Sequence, residues 1–142
     1  MAVALCCSAC TDKTDKLRAT ATAAVRDIAQ EAAQRLREAV PPLPASIEKA
    51  VGEIVADRPG RATVITKNVP QNGMFKVSFA FLALVGDGDI SEYKQIAVRL
   101  CATYSGDSAR AGKIDVVDLS CPPGLPGPSN GVPVDREVKL SD

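Results

Sequence analysis

The spacing of apolar residues changes once along the chain, and this change limits the available folds more than any other feature. Up to Val40, apolar residues recur at every third or fourth position, whereas from Arg61 onward they recur at every second position. The first spacing is typical of an amphipathic helix and the second of a strand with one buried face. Pro41-Pro42-Leu43-Pro44 separates the two regions, because consecutive prolines remove backbone donors and disfavour helix before them. The sequence therefore predicts helices followed by a sheet.

Two helices are predicted before Arg61, the long one before the proline-rich segment and the short one after it. The long one runs from Thr11 to Val40 without an internal glycine or proline, and its apolar stripe consists of Leu17, Ala21, Ala24, Ile28, Ala32, Leu36 and Val40. The short one runs from Ser46, a suitable N-cap, to Asp57, before Pro59-Gly60. We expect the long helix to lie across the sheet; a helix that pairs with another chain or stands off a membrane as a stalk is the alternative.

Four strands are predicted in the second region, at Arg61 to Lys67, Met74 to Val85, Tyr93 to Tyr104 and Lys113 to Cys121. In the second of these strands, Leu82 and Leu84 lie opposite the main apolar face, so its far half is expected to be covered on both sides. In the fourth strand the alternation fails at Val116-Val117, which we interpret as a β-bulge.

The residues after Pro122 are rich in proline and predict an extended surface segment that ends in an edge strand from Val134 to Leu140. The predicted fold class is therefore α+β, with one long N-terminal helix and a short helix packed on one face of an antiparallel sheet of about four strands. A chain of 142 residues is the size of one domain with a single core.

The charge and the residue types exclude several functions. Lys+Arg and Asp+Glu both number 17, so the chain lacks the basic surplus that binding to nucleic acid requires. Histidine is absent, which excludes imidazole-based catalysis and every zinc site that uses imidazole. None of the usual nucleophile or phosphate-binding motifs occurs. We therefore expect a non-enzymatic protein with no cofactor.

The first ten residues are apolar up to Cys10, and the residues that follow are abruptly polar. Ser8 and Ala9, directly before Cys10, are small. This segment resembles the end of a bacterial lipoprotein signal peptide, and the resemblance implies that Cys10 is lipidated and becomes the mature N-terminus. It departs from the family in having Cys7 where an aliphatic residue is usual and in lacking a basic start. Both departures are explained if translation starts upstream of Met1.

A second interpretation of the same segment is a thiolate site for a metal or for redox chemistry. Cys6, Cys7 and Cys10 lie close together, and Cys7-x-x-Cys10 has the spacing of half a zinc site. A structural zinc site needs four ligands, and the sequence contains no second pair to complete it. A third interpretation is a disordered stub whose cysteines have no role.

The lipoprotein resemblance implies export to an oxidising compartment. There, two distant cysteines on predicted strands, Cys101 and Cys121, are expected to form a disulfide. The predicted bulge decides which face Cys121 shares with Cys101, and the sequence leaves that open.

The resulting organisation has three parts: residues 1–9 as the end of a signal peptide, 10–44 as the long helix with its Pro-rich connection, and 45–142 as the short helix and β-meander. The expected function is that of a lipid-anchored protein of the bacterial cell envelope, facing the periplasm or the exterior. It would bind another envelope protein or assist an assembly, and would not bind nucleic acid. The alternatives are a carrier of a small hydrophobic ligand between helix and sheet, and the thiolate protein described above.

Overall fold

The computed structural model describes residues 2–39, 44–70, 72–87, 94–107, 110 and 113–141, with side chains from residue 13 onward and, in the second helix, from residue 46. These residues form two helices and a five-stranded sheet. The elements are α1 (Ala2–Ala39), α2 (Pro44–Asp57), β1 (Ala62–Asn68), β2 (Met74–Asp87), β3 (Lys94–Asp107), β4 (Ile114–Asp118) and β5 (Val134–Glu137). Both helices pack on the same side of the sheet, so the predicted α+β class is confirmed.

Helix α1 begins earlier than predicted, at Ala2. No glycine or proline interrupts residues 2–10, so nothing in their backbone ends the helix at Thr11. The predicted apolar stripe is buried except for Ala24, which is half-buried, and Val40, which lies outside the described residues. Three further residues are buried beside it, namely Val25, Ala29 and Ala33. The buried stripe is wider than predicted because α1 lies across both β2 and β3.

Helix α2 begins at Pro44, two residues before the predicted Ser46. Proline is favourable in the first turn, where the backbone N–H that it lacks would have no partner within the helix. The helix buries Ile47, Val51 and Ile54, and it packs between α1 and β1. It therefore completes the apolar layer on the side of the sheet that carries α1.

The sheet has the order β1-β2-β3-β4, all antiparallel, and β5 adds to β3 in parallel. Strands β4 and β5 share one edge of β3: β4 pairs with its residues 102–106 and β5 with its residues 97–99. The predicted edge strand is therefore present, but it is shorter than 134–140 and parallel to its neighbour. It is parallel because the chain leaves the edge after β4 and turns round before it returns.

The predicted bulge at Val116-Val117 is wrong. Strand β4 pairs with β3 in continuous register, whereas register shifts occur in β1 between Val64 and Thr66 and in the pairing of β3 with β5 at Ala97 and Val98. Val116 packs against the core, whereas Val117 lies on the opposite face and is 61% exposed. The alternation fails in the sequence because an apolar residue occupies an open face, not because the strand is distorted.

Aromatic side chains fill the layer between the helices and the sheet. We call the side of the sheet that carries the helices the helix face, and the other side the outer face. On the helix face, the Phe79 and Phe81 rings stack with centroids 5.4 Å apart, and Tyr104 meets Phe79 edge-on at 5.7 Å. The Tyr104 hydroxyl donates a hydrogen bond of 2.7 Å to the Ala29 carbonyl of α1. Burial raises the pKa of this phenol, so it remains a hydrogen-bond donor.

Candidate functional site

The three N-terminal cysteines lie in the first part of α1, and the side chains of Cys6, Cys7 and Cys10 lie outside those that the structure describes. Lipidation of Cys10 and the alternative thiolate site therefore both stay predictions. In the part of the chain that the structure describes, neither helix combines the length and the apolar character that crossing a bilayer requires.

The beginning of α1 lies at one end of the sheet, which we call the proximal end. Here Lys94, the first residue of β3, donates a hydrogen bond of 2.5 Å to the Thr14 hydroxyl. Further along, α1 reaches Tyr104 near the other end of β3, so helix and strand run in the same direction. Because β3 has 14 residues, the two ends of the sheet are about 40 Å apart. Any group attached to Cys10 would therefore lie nearer the proximal end.

The predicted disulfide is present and ties the Pro-rich segment to the outer face. Cys101 and Cys121 are bonded, with their Cα atoms 5.3 Å apart. We call residues 122–133, which follow, the strap. Arg99 donates a hydrogen bond of 2.6 Å to the Pro126 carbonyl, and the Asn130 amide donates one of 3.0 Å to Gln95. The strap thus runs back along β3, held to outer-face residues at successive points.

The strap covers the outer face of the far half of β2, the part of this strand that was predicted to be covered on both sides. Leu82 is only 6% exposed although it points away from the helices, and its outer-face neighbours Ala80, Ala97 and Cys101 are buried as well. These residues lie beneath the segment that Cys121, Pro126 and Asn130 hold in place. The expectation of double coverage is therefore confirmed for Leu82, with the strap as the covering layer, whereas Leu84 is half-buried.

The residues after the strap connect the outer edge of the sheet to α1. The Cys121 N–H donates a hydrogen bond to the Glu137 carboxylate at 2.8 Å. Arg18 of α1 binds Asp135 of β5 at 2.7 Å, and Arg26 donates to the Lys139 carbonyl at 2.8 Å. The hydrogen bond from Arg18 holds the pKa of Asp135 below its usual value of 3.8. These contacts fix the closing strand to both the strap and the helix.

An open cleft of about 490 Å³ lies at the end of the sheet opposite the proximal end, and we call it the distal cleft. It is formed by the β1–β2 turn and by the ends of β3 and β4 that face it. Met74, which is 55% exposed, gives it an apolar floor, and Phe75, which is 4% exposed, is buried in the core beside it. Gly106 stands opposite Phe75 in the register. A Cβ atom at Gly106 would lie 2.6 Å from the Phe75 ring, so glycine makes room for it.

Charged side chains surround this floor. Lys76, Arg110 and Lys113 are exposed, and among the residues that the structure describes none of them forms an ion pair. Asp115 lies on the same row of the sheet as Lys76, with Ser105 between them. Their Cα atoms are therefore about 10 Å apart, and their side chains form no ion pair among the described residues. Basic side chains outnumber acidic ones here by three to two, with Asp107 as the second acid.

A second cleft lies between α1 and α2 and has a different character. Its volume is about 830 Å³, and charged and polar side chains line most of it. Arg35 is ion-paired with Glu53 at 3.5 Å and also with Asp57, and Glu31 is paired with Arg58 at 2.5 Å. These charges therefore bind the two helices to each other and are less available to a ligand than those of the distal cleft.

Sequence reasoning missed the distal cleft. Its basic residues come from β2 and from the turn between β3 and β4, and only the pairing of the strands brings them together. Asp115 and Asp118, which stand three apart, face opposite sides of the sheet, opposite Ser105 and Ala102 of β3. Within the described residues, no group of three or more cysteine or acidic residues is arranged to hold a metal ion.

Comparisons with protein-family models, with curated proteins and with solved structures find no match to this chain.

Proposed function

We propose that this protein is a lipid-anchored, non-enzymatic protein of the bacterial cell envelope that binds another protein or assists an assembly. The observation that carries the proposal is the disulfide between Cys101 and Cys121. Disulfides persist in oxidising compartments outside the cytoplasm, and the Ser8-Ala9-Cys10 motif supplies a route there. Lipid on Cys10 would then hold the proximal end of the domain near the membrane.

The packing of the interior favours a protein partner over a carried hydrophobic ligand. A carrier would need space between the helices and the sheet, and Phe79, Phe81 and Tyr104 occupy that layer with no exposed surface. These buried rings are in contact with one another, so a ligand that separated them would have to replace the dispersion contacts that they lose. A partner that binds the surface needs no such rearrangement.

Metabolic labelling tests the anchor. A bacterium that processes lipoproteins expresses the protein from its native gene in the presence of an alkyne analogue of palmitate. We expect label on the wild-type protein and none on Cys10→Ala, because the thioether and the amide of the lipidated terminus both require that cysteine. Cys6→Ala is the matched control, since it removes a neighbouring thiol but leaves the small residues before Cys10 unchanged, and it should remain labelled.

Two results would contradict the proposal. An unlabelled wild-type protein whose N-terminal peptide still contains residues before Cys10 would exclude lipidation. Stoichiometric zinc or copper that disappears in Cys7→Ser would instead establish the thiolate site, because thiolates are ligands for both metals.

A further inference from the structure

We propose that the distal cleft binds an extended, acidic segment of a partner protein, with an apolar side chain of that segment on Met74. The inference deepens the proposed function by assigning the surface and the chemistry of the partner. It rests on that function for the compartment in which the partner is found and for the orientation of the cleft away from the membrane.

The position of the cleft suits a partner that approaches from outside the membrane. It lies about 40 Å from the proximal end, where α1 enters the domain. A lipid at Cys10 would keep the proximal end at the bilayer and leave the cleft facing away from it. The anionic lipids of the anchoring membrane are then beyond the reach of Lys76, Arg110 and Lys113, since electrostatic attraction to a surface falls off within about 10 Å.

The charges of the cleft select an acidic ligand. Lys76, Arg110 and Lys113 hold no ion pair within the described chain, so binding to them breaks no existing pair. The acidic side chains of the cleft are Asp115 and Asp107, which stands opposite Met74 in the register, and the basic side chains exceed them by one. Asp115 lies across Ser105 from Lys76, so an acidic segment that crosses near Lys76 stays clear of it. Charge complementarity of this kind favours association and selects the partner.

The apolar floor favours a peptide over a small inorganic anion. Met74 is 55% exposed, and it is one of two large apolar residues exposed to this extent in the described chain. A thioether side chain adapts to differently shaped apolar groups, so it suits the recognition of a side chain from a partner. The volume of about 490 Å³ falls within the range of about 300–1,000 Å³ that is usual for ligand sites.

Fluorescence anisotropy with defined peptides tests the inference. The protein is the full chain with Cys10→Ala, purified with the disulfide intact, so that lipidation does not affect the result. The probe is a labelled peptide Glu-Asp-Leu-Glu-Asp, and its neutral counterpart is Gln-Asn-Leu-Gln-Asn. We expect the acidic peptide to bind at least about tenfold more tightly than the neutral one, and its affinity to fall as salt is added.

Charge reversal locates the site. The triple variant Lys76→Glu, Arg110→Glu and Lys113→Glu should weaken binding of the acidic peptide by at least about tenfold. All three side chains are exposed, so circular dichroism should show an unchanged fold. Arg61→Glu is the matched control: it makes the same kind of charge change at an exposed position near the other end of β2, and it should leave affinity unchanged.

Three results would overturn the inference: no binding of the acidic peptide, equal binding of the two peptides, or binding that survives the triple reversal. Binding to vesicles that contain phosphatidylglycerol is measured as a further test. If they bind in a way that the triple reversal abolishes while the peptide does not bind, the cleft recognises lipid headgroups instead. Each of these results leaves the anchor at Cys10 untouched, because labelling with palmitate tests it separately.

Discussion

Gly106 of β3 stands directly opposite Phe75 of β2, and the Phe75 ring lies against its backbone. Phe75 is only 4% exposed, so the ring cannot move away without losing contacts in the core. Glycine is needed at this position for space and not for an unusual backbone angle, since Gly106 is not among the glycines with positive φ. The packing of Phe75 beside the distal cleft therefore depends on the absence of a side chain at position 106.

We expect Gly106→Ala to destabilise the domain by about 1–3 kcal/mol, because the new Cβ would lie 2.6 Å from the Phe75 ring and force it aside. Urea denaturation followed by circular dichroism measures this change. Gly127→Ala is the matched control, since a Cβ there has no heavy atom within 4 Å and should alter the stability little. Equal effects of the two substitutions would show that the contact with Phe75 is unimportant.

Among the elements, the strap differs from the helices and strands in how it is held. It has no repeating hydrogen-bond pattern, and it stays on the outer face through the disulfide and through single contacts from Arg99 and Asn130. Beneath it lie Ala80, Leu82 and Ala97, which would otherwise form an exposed apolar patch. The cross-link is therefore a main constraint on the position of a segment that has little secondary structure.

Cys121→Ala should lower the free energy of unfolding by about 3 kcal/mol, because the bond closes a loop of 20 residues and restricts the unfolded chain. The remaining Cys101 is buried and can persist as a small apolar residue. Urea denaturation with and without a reductant measures the change. Reduction should destabilise the wild-type protein to the same extent and have no effect on Cys121→Ala; an effect on the variant would contradict the assignment.

The elements also show how far the sequence predicts this structure. The spacing of apolar residues predicted both helices and four strands, because each of these elements buries one face and its apolar residues recur with the period of a helix or a strand. The strap and the parallel pairing of β5 follow from contacts between distant residues, such as Arg99 with Pro126, and no local period encodes them. The distal cleft was missed for the same reason. The pairing of Cys101 with Cys121 was predicted, but the fourth strand ends at Asp118 and not at Cys121, so Cys121 lies just beyond the sheet.

In the molecule as a whole, the first helix and the last strand are joined directly. Arg18 and Asp135 are separated by 117 residues in sequence and form an ion pair at 2.7 Å. Arg26 reinforces this contact through the Lys139 carbonyl, and Val138 reaches into the core beside it. The domain is thus closed by contacts between its two ends as well as by its central sheet.

This closure should depend on pH in the acid range. Since the pKa of Asp135 is held below its usual value of 3.8, the ionised carboxylate stabilises the folded state at neutral pH. The contribution is full above that value and is lost as the pH falls through the lower pKa of the folded state. We therefore expect Asp135→Asn to lower the urea midpoint at neutral pH and to lower it by a smaller amount at acidic pH. Asp27→Asn, at an exposed position on the same helix as Arg18, is the control.

If Asp135→Asn and Asp27→Asn changed the urea midpoint equally at both pH values, the ion pair with Arg18 would not contribute to stability. A nuclear magnetic resonance titration of the Asp135 carboxyl provides a second measurement. Its midpoint should lie below 3.8 in the folded protein and rise when Arg18 is replaced by Gln.

The shared edge of β3 has a consequence for aggregation. Strand β4 pairs with residues 102–106 of β3 and follows β3 after a short connection. Strand β5 pairs with residues 97–99 of β3 only after the strap has run back along that strand. A chain whose cysteines are reduced therefore exposes an unpaired strand edge next to Leu82 and Ala97 whenever the strap detaches. An open edge beside an apolar surface is a template for sheet pairing between molecules. The bond at Cys101 thus protects the protein against self-association as well as against unfolding.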